Sequence, residues 1–118
     1  MSGASVAERH SADGGESAEL ARLRRRIDAL DRRIVKLLNE RAELARDVGR
    51  AKIAAGRRGI RDIEREREIL LRIAMANAGP MPQADLLALY RRLFSATRAL
   101  EAGDRRRARA APAETGDD

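Results

Sequence analysis

The chain contains no cysteine, and its one histidine, His10, stands in a polar leader. Disulfide staples, thiolate nucleophiles and thiolate metal centres are excluded, and zinc sites of the usual kinds lack their ligands. Aromatic side chains are limited to Tyr90 and Phe94, too few for the stacking platforms that bind single-stranded nucleic acid. Clusters of strand-forming residues are nearly absent while 37% of residues are charged, a combination that points to an all-α protein. No stretch is long and apolar enough to span a membrane, and residues 1–18 hold no apolar run like the core of a signal peptide. The expected location is the cytoplasm.

What is present is basic charge and helical period. The net charge is +6, with a sequence pI near 11.0. Residues 1–19 carry one Arg against four acids and residues 103–118 four Arg against four acids, so residues 20–102 hold a net +9. Partners of that region are acidic small molecules or nucleic acid. Most of the arginines, Arg25, Arg32, Arg46 and Arg50 among them, fall on outer helix faces, where a solvated surface is the ordinary role.

The period is clearest from Leu20 to Ala55. Leu20, Leu23, Ile27, Leu30, Ile34, Leu37, Leu44, Val48, Ala51 and Ala55 form one stripe with a seven-residue repeat. Arg41 occupies a slot on that stripe where an aliphatic residue belongs, and Arg24 and Lys52 flank it. A cation at a seam costs stability unless an anion meets it, so this helix reads as scaffold and anion site together. Such a helix would be roughly 50 Å long, against a radius of gyration of about 13–14 Å for a compact domain of this size. A chain of 118 residues therefore reads as one protomer of an intertwined oligomer. The helical rise also puts the Cα atoms of Arg24 and Lys52 about 42 Å apart, too far for one small ligand unless they come from different chains. Arg41 and Lys52, about 16 Å apart, can lean together on a small dianion. A dimer with shared sites is the expectation.

In chain order, residues 1–18 form a disordered leader, with Ser17 as N-cap of the first helix. Gly49, inside that helix, permits close helix packing or close approach of a ligand. Residues 56–61, GRRGIR, break the period as a connector. Asp62 is the natural N-cap of a second helix with Glu64 and Glu66 in its first turn. Its stripe is Ile63, Glu66, Leu70, Ile73 and Asn77. Glu66 reads either as an acid serving its helix terminus or as an inward carboxylate meeting Arg65, Arg41 or a ligand hydroxyl. The segment from Ala78 to Pro82 stops the second helix and starts a third, with Pro82 at its first position. The third stripe is Leu86, Tyr90, Leu93, Thr97 and Leu100. Glu101, one turn after Thr97, ends the periodic stretch, where the helix dipole disfavours a carboxylate. Beyond Ala102 the period is lost, and residues 103–118 read as a disordered tail.

The ordered set Arg24, Arg41, Lys52, Asp62, Arg65, Glu66 and the Thr97/Glu101 pair, with the segments LRRRIDALDRRIVKLLNERAELARDVGRAKI and RDIEREREIL, resembles the all-helical chorismate mutase family over about residues 19–102. The resemblance implies a three-helix protomer in an intertwined homodimer, and cofactor-free rearrangement of chorismate to prephenate in aromatic amino acid biosynthesis. It implies that Arg41 grips one substrate carboxylate and Arg24, from the other chain, the second. Lys52 would donate to the breaking ether oxygen, and Glu101 would close the site from the third helix, able to donate only when protonated. Glu66, with the backbone near Asp62, would hold the ring hydroxyl, Arg65 would orient Glu66, and Thr97 would help close the site. Many bacterial members carry Ser and Gln where this chain has Thr97 and Glu101, and the Thr and Glu pair is similar to fungal members. Isochorismate pyruvate lyase and amino-deoxychorismate mutase activity on the same scaffold remain alternatives, since they use the same cations. A basic helical nucleic-acid-binding or assembly module is the remote one. It accounts for the pI but leaves Arg41 and Glu66 in the seams unexplained, so no nucleic-acid partner is expected.

Overall fold

A computed structural model of the chain describes residues 17–57, 59 and 61–111. They form three α-helices, α1 (Ala18–Ala54), α2 (Ile63–Ala76) and α3 (Gln83–Ala110), with no strand among the described residues. None of these helices is long and apolar enough to cross a membrane. Most of the expected leader, residues 1–16, lies outside the described residues, as do residues 112–118. The chain divides into two compact units, one ending at Arg41 and one beginning at Ala42.

After Ser17, the described part of the first unit is helix throughout. Ser17 caps it: its Oγ accepts the Leu20 N–H at 3.1 Å and its carbonyl accepts that of Ala21 at 2.9 Å. Glu19 and Arg22 pair along the first turn. The apolar stripe is laid down as the repeat requires, and Leu20, Leu23, Ile27, Leu30, Ile34 and Leu37 all remain exposed.

The second unit holds the end of α1, then α2 and α3. After α1, Gly56 adopts a left-handed φ of 83° and the Arg57 N–H returns to the Lys52 carbonyl at 2.8 Å. A residue with a Cβ would be strained there. Asp62 caps α2, its Oδ1 accepting the Arg65 N–H at 3.0 Å. At the other end Asn77 ties the turn together, its Oδ1 accepting the Gly79 N–H and its Nδ2 donating to the Met81 carbonyl, both at 3.0 Å. Pro82 is the N-cap of α3, one position before its expected place, because its extended ψ of 135° lies outside the helix while its carbonyl already accepts the Leu86 N–H. α2 packs on α3. Phe94 is the one buried apolar side chain among the described residues, set edge-to-face against Tyr90 with ring centroids 6.3 Å apart.

One expectation is corrected. The tail expected from residue 103 is helical as far as Ala110. Loss of the apolar period does not end a helix when the residues that follow are good helix formers, as Arg and Ala are. Gly103 is buried, and Asp104 pairs with Arg107 one turn on. Glu101 therefore sits inside α3 and not at its C-terminus, so the helix dipole does not oppose its charge there.

Candidate active site

The second unit holds Lys52, Asp62, Glu66 and Glu101: Lys52 meets Asp62, and Glu101 lies in the fields of Lys52 and of Arg98, the partner of Glu66. Lys52 stands in the last turn of α1, with its side chain 18% exposed and its Nζ 3.8 Å from Asp62 Oδ2. Arg57 approaches the same carboxylate oxygen at 3.8 Å. The Arg65 N–H bond holds the Asp62 carboxyl below its ordinary range, with Lys52 and Arg57 adding to the effect against partial burial. Asp62 thus has two duties, capping α2 and fixing the Lys52 ammonium.

Glu66 lies on the inward face of α2, its side chain only 16% exposed. Its inward reading holds, with different partners. Arg98 of α3 donates to Oε2 and Arg61 approaches Oε1 at 3.4 Å, while the Arg65 guanidinium bonds Glu68 at 3.1 Å on the outer face. Residues three apart on a helix face the same way, whereas adjacent residues do not. Arg65 therefore reaches Glu68 in preference to orienting Glu66.

Gly49 resolves its own two readings. A Cβ built on it would stand 3.3 Å from Glu101 Oε2, so the glycine lets the Glu101 carboxyl lie against α1. Burial pushes that carboxyl above its ordinary value and Asp104 adds to the rise, against Lys52, Arg105 and Arg98. The direction, undecidable from spacing, is set by desolvation.

Around this contact opens a cleft of about 520 Å³ whose lining includes Lys52, Ile53, Arg57, Glu101 and Arg105. Among the described residues six cationic side chains line it against two carboxyls, a balance suited to a small dianion. One wall is closed by Arg46, which grips Asp104 through Nε at 2.8 Å and Nη2 at 2.9 Å. Arg46 is thus a half-buried partner of α3 and not the solvated outer-face arginine expected. The Asp104 hydrogen bond raises the Arg46 pKa, and the same bond holds the Asp104 carboxyl down. Arg46, Asp104 and Arg98 all escape a reading by seam positions, because each is defined by its partner on another helix. Of the remaining expected residues, Thr97 is half-buried one turn before Glu101 on α3. Arg24, exposed, and Arg41, half-buried, belong to the first unit.

The pattern of the family chorismate mutase type II matches residues 23–102. The chain belongs to that family. A chorismate mutase (form II) from Thermus thermophilus is similar in structure, with a TM-score of 0.68 and 32% identity over 71% of this chain and 94% of that one. Form I of the Thermus enzyme matches with a TM-score of 0.64, also at 32% identity, over 67% of this chain and 98% of that one. Among curated relatives, the bifunctional chorismate mutase/prephenate dehydratase of Aquifex aeolicus is 44% identical over 87 residues, 70% of this chain and 24% of that protein. The corresponding bifunctional protein of Stutzerimonas stutzeri is 38% identical over 90 residues, 73% of this chain and 25% of that protein. The chain thus spans about a quarter of the length of these curated relatives. The family resemblance carried by the charged residues and the all-helical expectation both hold.

Proposed function

We propose that this protein is a cytoplasmic chorismate mutase, converting chorismate to prephenate by a cofactor-free [3,3] rearrangement for aromatic amino acid biosynthesis. The observation that carries the reading is the convergence of Lys52 and a half-buried, partly desolvated Glu101 over Gly49 in a cationic cleft. A pericyclic shift asks little covalent chemistry of a protein. It asks that a flexible dicarboxylate be held in its folded, near-attack shape, and that donors face the ether oxygen as its bond to carbon breaks.

In this reading Lys52 donates to the ether oxygen as negative charge grows there, and Glu101, protonated, donates beside it. Arg41 grips one substrate carboxylate and Arg24 of the partner subunit the other. Glu66, held by Arg61 and Arg98, accepts from the ring hydroxyl next to the backbone near Asp62. Arg65 adds positive potential from the first turn of α2, and Thr97 closes the site from α3. The proposed assembly is a homodimer with shared sites. Support comes from the exposed stripe of α1, where Ile27, Leu30, Ile34 and Leu37 are each at least half exposed. Apolar surface repeated along a helix in this way is what a second copy buries.

The test is to follow chorismate absorbance and prephenate formation in metal-free buffer, with isochorismate in a parallel reaction. Prephenate from chorismate, with isochorismate left intact, is the expected result. Cleavage of isochorismate to pyruvate without prephenate formation would transfer the protein to the lyase reading, and no turnover of either would reject both.

A further inference from the structure

Arg46 and Gly49 stand one turn apart on α1, and Glu101 and Asp104 stand one turn apart on α3. Arg46 meets Asp104, and Gly49 meets Glu101. Three residues forward on α1 thus correspond to three residues back on α3. The two contacts succeed one another in opposite order along α1 and α3, about 4.5 Å apart along each helix at the ordinary rise, and both are made by side chains of α3 reaching α1. The contacts differ in kind. At Gly49 the Glu101 carboxyl lies against a position without a side chain, its Oε2 3.3 Å from where a Cβ would stand, whereas at Arg46 two N–H···O bonds, at 2.8 Å and 2.9 Å, occupy both oxygens of Asp104. Arg107 closes on Asp104 from the solvent side. Asp104 lies beyond residue 102, where the family match ends.

We propose that Arg46 and Asp104 are positioning residues, whose bidentate pair sets the register of α3 against the end of α1 and so holds the Glu101 carboxyl over Gly49 in the cleft. A simple exposed ion pair would contribute little, but a bidentate guanidinium–carboxylate pair fixes orientation as well as distance. With its side chains only 25% and 26% exposed, this one leaves little room for alternative geometries. Glu101 is faced by Lys52 from α1 and by Arg98, Asp104 and Arg105 on its own helix, with Glu66 of α2 holding Arg98. The Arg46–Asp104 pair is what keeps the carboxyl among these groups. The inference rests on the proposed function only for the role it gives Glu101 in turnover.

The test uses the full chain with Arg46→Met and Asp104→Asn, each alone. Without substrate, the nuclear Overhauser contact between the Gly49 α-protons and the Glu101 side-chain methylene is expected in the wild type and lost in both variants. Asp104→Asn keeps the shape of the side chain and carries the test if Arg46→Met fails to fold. With chorismate, each variant is expected to lose at least ~10-fold in kcat with little change in KM, because misplacing one donor weakens the transition state while the carboxylate-binding cations stay. Neither substitution should cost anything further in a Glu101→Ala background. A Gly49–Glu101 contact that persists in both variants, or a kcat loss as large without Glu101 as with it, overturns the proposal. Failure of the wild type to turn over chorismate would reject the proposed function and leave the Overhauser contact to decide the positioning role.

Discussion

Glu101 Oε2 lies 3.3 Å from the point where a Cβ on Gly49 would stand. Among α1 positions facing the cleft, this one separates stability from activity. Alanine would raise the helix propensity of α1 by up to ~1 kcal/mol, and the atom it crowds is the far end of a flexible side chain that can move aside. Gly49→Ala is therefore expected to melt at the same temperature as the wild type or higher, while turnover falls about 10-fold because the Glu101 carboxyl is displaced. Thermal melts and steady-state kinetics on one preparation check this, and a variant with full turnover would show that the placement of Glu101 has slack.

The raised pKa of Glu101 gives a pH dependence of definite sign. Burial favours the neutral acid, and the neutral acid is the form that can donate. Turnover at saturating chorismate should fall as pH rises through the Glu101 pKa of the complex. Glu101→Gln keeps a donor of similar shape without the titration. Its rate should be nearly flat from weakly acidic to weakly alkaline pH and exceed the wild type at the alkaline end. Superimposable profiles would mean that Glu101 donates nothing to the reaction.

Asp62 titrates in the opposite sense. Its folded pKa is depressed, first by the Arg65 N–H and then by Lys52 and Arg57, so its contribution to stability is present above its unfolded pKa and is lost as pH falls through the folded one. Asp62→Asn retains an oxygen for the Arg65 N–H but cannot ionise. It should melt close to the wild type in acid and below it at neutral pH. Asp62→Ala removes the cap as well and should melt lower at every pH. Melting curves taken across the acid range check both, and parallel curves for the wild type and Asp62→Asn would show that the charge of Asp62 is not coupled to folding.

Much of this fold is written locally. The Leu and Ile repeat of α1, the Ser17 and Asp62 caps and the glycine-proline break before α3 each act within a turn or two of their own position, and each stands where its local chemistry requires. Glu66 is legible for a related reason, as a carboxylate on an apolar stripe. What sequence alone does not supply is pairing between helices. Arg46 looks like any outer-face arginine until Asp104 is placed opposite it, and Glu66 is equally compatible with Arg65 and with Arg98 until α3 is packed. The end of α3 escapes the same reading because apolar period marks the packed part of a helix, while residues 103–110 stay helical on Ala and Arg propensity and on the Asp104 pairs. The direction of the Glu101 pKa is a balance of burial against three cations, and only packing decides it.

The claim that one active site is built from two chains is tested most directly by subunit complementation. Arg24→Ala and Lys52→Ala should each be inactive toward chorismate, since each removes a cation from every site. Unfolded together and refolded as a mixture, they form heterodimers in which one site carries both defects and the other carries neither. With random reassortment about a quarter of all sites are intact, and the mixture should regain about that share of wild-type chorismate turnover, with heterodimers confirmed by native mass spectrometry. A mixture that contains heterodimers yet stays as inactive as its parents would contradict the shared site, as would a protein that remains monomeric.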